Sequence, residues 1–174
     1  MVYRGPAITL EQVLENRELR TERQREWVST HSLPIVSFTI NMPGSVKLNQ
    51  ISQIGFKAGQ EQIRKACMQS GCSSFISQSF ISDCGCEAMS AVGGISPQQL
   101  KRLMIEVEDT HPLGRLFDID VFDSQGVVLS RDQLGLARRR CFICGKDAKL
   151  CARNRVHPLP ALIDKLSEII HEYH

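Results

Sequence analysis

The chain has 174 residues, 42% hydrophobic and 23% charged, with a formal net charge of +2. That length predicts a single domain over residues 1–174 with a real core, and the composition is that of an ordinary soluble globular protein. A charge so near neutral implies no bulk attraction to nucleic acid or to a membrane surface, and no apolar run approaches the ~20 residues of a bilayer span. Seven cysteines, an odd number, argue against a closed disulfide framework and for reduced thiols or a metal site. The N-terminus, with Arg4, Glu11, Glu15 and Arg17 close together, lacks the apolar centre of a signal peptide, which makes the cytoplasm the expected location.

Residues 8–28 read as an amphipathic helix. Thr9 is placed to cap it, with Gln12 at the capping-box position, and Leu10, Val13, Leu14 and Trp27 supply the apolar positions. Arg17, Arg20, Arg23 and Arg25 cluster in one half. Such a run is ordinarily a solvated face, and it becomes a phosphate-binding candidate only if something else brings phosphate near. Pro34–Asn41 is rich in β-branched and aromatic residues and predicts a strand. It runs into Asn41-Met42-Pro43-Gly44-Ser45-Val46-Lys47, a loop whose backbone amides, Asn41 and Lys47 suit phosphate oxygens; it reads equally as an ordinary turn.

Ile51–Cys67 is predicted helical, with Gly71 as its stop. Phe75–Ser82 alternates as a strand, Asp83-Cys84-Gly85 turns, and Glu87–Val92 forms a second strand closed by Gly93-Gly94. Ser96, Pro97 and Gln99 open the next helix, whose inner face is Leu100, Leu103, Met104 and Val107. The fourth strand, Leu116–Phe122, is followed by a turn into a short hairpin partner at 127–130. The order strand, helix, strand, strand, helix, strand is the ferredoxin-like split βαβ plan. It predicts an α+β fold with a core at about 34–130: an antiparallel sheet with both helices on one face, an N-terminal helix, and a C-terminal Cys/Arg-rich loop plus a helix from about 160 to 173.

The fourth strand carries the most pointed chemistry. Alternation puts Asp118 and Asp120 on one face, side by side, and Phe117, Ile119 and Val121 on the other. Two aspartates there repel one another and form strand poorly, and a divalent cation relieves both problems. Magnesium is commonly held by one or two carboxylates plus substrate phosphates. The plain alternative is an edge strand with two solvated aspartates. His111, Gly114 and Arg115 precede the pair, as a titratable imidazole, a mobile backbone and a fixed cation.

Cys141-x-x-Cys144, Cys151 and His157 are the right ligand types for structural zinc, although Cys-x5-His is wider than a usual knuckle; reduced, partly buried cysteines are the competing reading. Arginines 138–140, Arg153 and Arg155 surround them densely enough to suggest a polyanionic ligand.

Three segments in this order, Asn41-Met-Pro-Gly-x-x-Lys47, His111-Pro-Leu-Gly-Arg-Leu-Phe-Asp-Ile-Asp-Val121 and Arg140-Cys-x-x-Cys-x6-Cys-Ala-Arg153-x3-His157, resemble the apo-citrate lyase phosphoribosyl-dephospho-CoA transferases, the holo-citrate lyase synthases. The resemblance covers nearly the whole chain. It implies a stand-alone nucleotidyltransferase that moves a phosphoribosyl-dephospho-CoA group from triphosphoribosyl-dephospho-CoA to a serine of the citrate lyase acyl carrier (gamma) subunit, releasing diphosphate. A fold-level analogy runs to the hydroxymethylpterin pyrophosphokinases, which share the split βαβ plan and a late-strand Asp-x-Asp for magnesium.

The expected division of labour follows. Asp118 and Asp120 hold Mg2+; Arg115, Asn41, Gly44, Lys47, Arg153 and Arg155 meet the phosphates; His111 is the base nearest the acceptor serine. Cys141, Cys144, Cys151 and His157 take zinc. Two other classes stay open: a small-molecule pyrophosphokinase, and a non-catalytic zinc-stabilised module gripping nucleic acid, against which neutral charge and few aromatics count.

Overall fold

Three reciprocal capping boxes set where the long helices begin: Thr9 with Gln12, Asn49 with Ser52, and Ser96 with Gln99, the last with a proline in the first turn. The computed structural model describes residues 3–173. The elements run α1 (Leu10–His31), β1 (Ile35–Ile40), α2 (Gln50–Gln69), β2 (Ser74–Ser82), β3 (Gly85–Gly93), α3 (Pro97–Thr110), β4 (Phe117–Phe122), β5 (Val128–Leu129), α4 (Ala148–Arg153) and α5 (Leu159–Tyr173). The sheet order is β2-β3-β1-β4-β5, every pairing antiparallel. This is the α+β, ferredoxin-like arrangement expected from the element order, with β5 added as a short hairpin strand. Among the described residues no helix is long and apolar enough to cross a membrane.

Val36 and Phe38 of β1 and Phe117, Ile119 and Val121 of β4 bury the face that α2 and α3 cover. Phe38 stacks on Phe56 with centroids 5.5 Å apart and meets Phe117 edge-on at 5.4 Å. Each such side chain contributes roughly 1.5–3 kcal/mol on burial. The contact is close enough that a Cβ at Gly59 would stand 2.2 Å from the Phe38 ring, so α2 lies this near the sheet only because residue 59 has no side chain. Leu166 and Ile170 of α5 join the same core.

The outer edge of β4 is finished by side chains. β5 covers only Val121 and Phe122. Further along, the Ile119 N–H donates to the Glu108 carboxylate at 3.2 Å and Lys101 Nζ donates to the Ile119 carbonyl at 3.0 Å, both from α3 and both side chains buried. Burial pushes the Glu108 carboxyl above its usual range; Arg139 and Arg131 oppose that shift.

α1 covers the other face of the sheet, and here the sequence expectation needs correcting. Leu10 and Leu14 are 74% and 48% exposed, and Trp27 is the only buried residue among the described side chains of the helix. The inward face is polar: Asn16, Arg20, Arg23 and Gln24 lead up to Trp27, which packs on Ile35, Met89 and Ala91. A second difference lies in the Cys/Arg-rich stretch, expected as loop. It contains α4, capped by Asp147, whose carboxylate accepts from the amides of Lys149 at 2.9 Å and Leu150 at 3.3 Å.

Candidate active site

Pairing of β3, β1 and β4 writes two rows of mainly polar residues across the face under α1. Glu87, Thr39 and Asp118 lie in one row, and Met89, Ser37 and Asp120 in the next. Arg20 and Arg23 of α1 both ion-pair with Glu87, the second at 2.7 Å, and Asn16 donates to the same carboxylate at 3.3 Å. Gln24 donates to the Ser37 hydroxyl at 3.1 Å. Glu87 is buried, and two guanidiniums and an amide give it the partners a buried carboxylate requires.

Where α1, the loop after β1 and the β2–β3 turn converge, a cleft of about 160 Å³ opens, lined among others by Asn16, Arg17, Arg20, Asn41, Lys47, Glu87 and Asp118. Lys47 donates to the Met42 carbonyl. Burial, and then the charge of Arg17, holds its ammonium below the usual lysine value. Arg17 has no hydrogen bond or ion pair from its side chain to any described residue. The cleft therefore brings two crowded cations to one aspartate.

Asp118 is exposed and Asp120 half-buried. Among the described residues neither carboxylate accepts a hydrogen bond or an ion pair. Burial, and then the neighbouring Asp118, pushes Asp120 up to about 6. Two carboxylates on one strand face, without a bonded counter-charge, are a donor set suited to a hard divalent cation.

The other predicted site residues lie elsewhere. The His111 ring packs against Phe117 at 5.1 Å and Tyr173 at 5.8 Å, and its Nδ1 accepts from the Leu113 amide at 3.0 Å. Phe117 faces the α2–α3 core, so this imidazole is on the helix side of the sheet while both aspartates project from the opposite face. Burial lowers its pKa. Arg115 is exposed and donates to the Arg140 carbonyl at 3.2 Å, tying the start of β4 to the cysteine segment. Gly44 is needed for packing: its φ is +79°, and a Cβ there would stand 2.2 Å from the Tyr3 hydroxyl and 3.1 Å from Leu159. It does not line the cleft, and neither do Arg153 and Arg155.

The cysteine segment makes a second centre. One ligand atom from each of Cys141, Cys144, Cys151 and His157 lies within 4.8 Å of the other three, close to the ~3.8 Å edges of a tetrahedron with 2.3 Å zinc–sulfur bonds. The Gly145 amide donates to the Cys141 carbonyl at 2.9 Å, and the Ile143 amide to Cys141 Sγ at 3.5 Å. A backbone hydrogen bond from Lys146, then His157, pulls Cys144 down to about 6, while its hydrogen bond with Cys144 drives Cys151 up to about 11. Among the described residues, His157 Nε2 is buried and meets no hydrogen-bond partner within bonding geometry. The wide Cys-x5-His spacing works because α4 ends at Arg153 and Arg155 turns the chain back with φ 47°.

Glu87 was not singled out in the sequence, and Arg17 and Arg20 stood there only as phosphate candidates conditional on a nearby anion site, which the cleft now offers. For Arg20 and Arg23 a signal was available: positions 16, 20, 23 and 27 fall at helical spacing, so the face carrying Trp27 to the sheet also carries these arginines there.

The comparisons with known proteins return the family that the chain resembles in sequence. A family model described as apo-citrate lyase phosphoribosyl-dephospho-CoA transferase matches residues 8–173. A Vibrio cholerae serotype O1 protein named probable apo-citrate lyase phosphoribosyl-dephospho-CoA transferase is 43% identical over 167 residues, covering 96% of this chain and 94% of its own. An Escherichia coli O157:H7 protein named apo-citrate lyase phosphoribosyl-dephospho-CoA transferase is 33% identical over 166 residues, covering 95% and 90%. On these grounds the chain belongs to the apo-citrate lyase phosphoribosyl-dephospho-CoA transferase family.

Proposed function

We propose that this chain is a cytoplasmic nucleotidyltransferase that moves phosphoribosyl-dephospho-CoA from triphosphoribosyl-dephospho-CoA to a serine of the citrate lyase acyl carrier subunit, releasing diphosphate. The serine oxygen bonds to the phosphorus next to the ribose as that phosphorus loses diphosphate. The observation that carries the reading is the cleft under α1, where Arg17, Lys47 and Asn41 face the row that ends in Asp118. Reactions of this class depend on positioning and charge neutralisation more than on covalent help from the protein.

In this reading Lys47 and Arg17 take the non-bridging oxygens of the triphosphate, Lys47 as a point charge and Arg17 through its fork. Their crowding favours an arriving anion. Asp118 and Asp120 would hold Mg2+, which when bound neutralises phosphate charge. Arg20 positions rather than binds, since Glu87 already holds it. His111 receives no role here, because the sheet separates it from the aspartates. Cys141, Cys144, Cys151 and His157 would hold a structural zinc ion, supported by their mutual distances and the orphaned His157 nitrogen.

Mass spectrometry of the carrier subunit incubated with this protein, Mg2+ and the precursor should show the added group. Asp118→Asn and Asp120→Asn should each abolish the addition and leave the fold intact. Lys47→Ala should raise KM for the precursor or lower turnover by about tenfold or more, as expected from losing one charge-assisted contact. Near-normal transfer by either aspartate variant would sink the assignment. If Lys47→Ala is silent while Arg153→Ala or Arg155→Ala is crippling, the site has to be redrawn around the cysteine segment.

A further inference from the structure

The two edges of the sheet are finished in opposite ways. On the β4 side, β5, Lys101 and Glu108 occupy the outward backbone groups. On the β2 side no described residue does. Among the described residues, no backbone group of Ser74–Ser82 bonds anything beyond the β3 ladder. Exposed edges are ordinarily guarded by charge, proline or a bulge, because a row of free N–H and C=O groups is a template for another strand. β2 reads Ser-Phe-Ile-Ser-Gln-Ser-Phe-Ile-Ser, with no charge and no proline. All nine residues pair with β3 in unbroken register, and Ile76 and Ile81 are 49% and 61% exposed.

The strand is also nearly its own mirror in sequence. Read outward from Gln78 in either direction, it gives serine, two large apolar residues, then serine. We propose that β2 is a dimerisation edge, along which a second copy of this chain pairs antiparallel about a two-fold axis through Gln78, joining two five-stranded sheets into one. In that register Gln78 faces its own counterpart, Ser77 faces Ser79, Ile76 faces Phe80, Phe75 faces Ile81, and Ser74 faces Ser82. Every pair then matches in polarity, and the apolar pairs are the aromatic–β-branched kind that stabilises neighbouring strands. Moving the axis by one residue in either direction sets serine against phenylalanine or isoleucine. An extended peptide from another protein could use the same backbone edge, but it would place no demand for symmetry on β2. The repeated pattern favours a second copy, whose contact is self-complementary by construction.

The axis itself supplies the test. Sedimentation equilibrium of the full chain at micromolar concentration should give twice the 19.5 kDa chain mass. Gln78→Lys places two ammonium groups face to face, and Gln78→Glu two carboxylates. Each variant alone should raise the dimer dissociation constant by about tenfold or more, while an equimolar mixture of the two re-forms dimers. Circular dichroism and thermal melting of each variant check that the monomer is folded. Re-association in the mixture is the decisive result, because it occurs only if residue 78 faces residue 78. The proposal is overturned by a wild-type chain that stays monomeric, by a dimer that ignores both charges, or by variants that separate and do not recombine when mixed. A monomer whose β2 instead cross-links to the carrier subunit overturns it as well.

Discussion

Asp120 makes the acidic strand sensitive to pH. Its carboxyl titrates near 3.8 when unfolded and about 6 when folded, because burial and then Asp118 disfavour the charged form. Between those values the folded state binds the extra proton, so the contribution of Asp120 to stability is present at low pH and is lost as pH rises through the window. A divalent cation offers the same relief as that proton and competes with it. Added Mg2+ should therefore raise the thermal midpoint more at pH 7.5 than at pH 5. Asp120→Asn should raise the metal-free midpoint at pH 7.5 and blunt the response to Mg2+. A full Mg2+ response in Asp120→Asn, read by differential scanning calorimetry, would count against the pair as the binding site. The Asp-x-Asp pair was legible because strand alternation is local. Its row partner Glu87 was not, since only the β1 register, set by distant residues, brings Glu87 and Asp118 to the two sides of Thr39.

At the level of elements, caps and alternation carried most of the fold. Ser96, Pro97 and Gln99 announce α3, and the two periods separate strands from helices as far as β5. The inward face of α1 was misread because burial there follows ion pairing with Glu87 rather than apolarity. α4 was missed because six residues hold little periodicity; its place depends on Cys151 turning toward Cys141, Cys144 and His157. That dependence makes a prediction. Protein purified without added zinc should carry one zinc per chain, and Cys151→Ser should carry none. Chelation should speed hydrogen exchange in 140–157 first, and next in the turn at Gly114–Leu116, where Arg139 donates to the Gly114 carbonyl at 2.9 Å and also to that of Phe117. A metal-free sample that is fully folded, with four or more titratable thiols, would refute the zinc reading.

Taken whole, the molecule is a sheet with an apolar layer on one side and a charged roof on the other. The core side could be drawn from the sequence. The roof could not, because nothing local states which face of the sheet a 22-residue polar helix will cover. Its attachment has a consequence for how the protein opens. Ile8, just before α1, and Trp27, near its end, are buried apolar pins; the span between them rests on ions and amides. Lifting that span parts Arg20 and Arg23 from the buried Glu87 and uncovers little oil, so access to the acidic strand responds to ionic strength as well as to temperature. Added salt should quicken amide exchange across 14–24 while leaving the Trp27 fluorescence unchanged. Uniform loosening of all of α1 would contradict this picture. A roof of this kind is a drawbridge: it opens under a change of charge, such as the arrival of a polyanion, without dismantling the house.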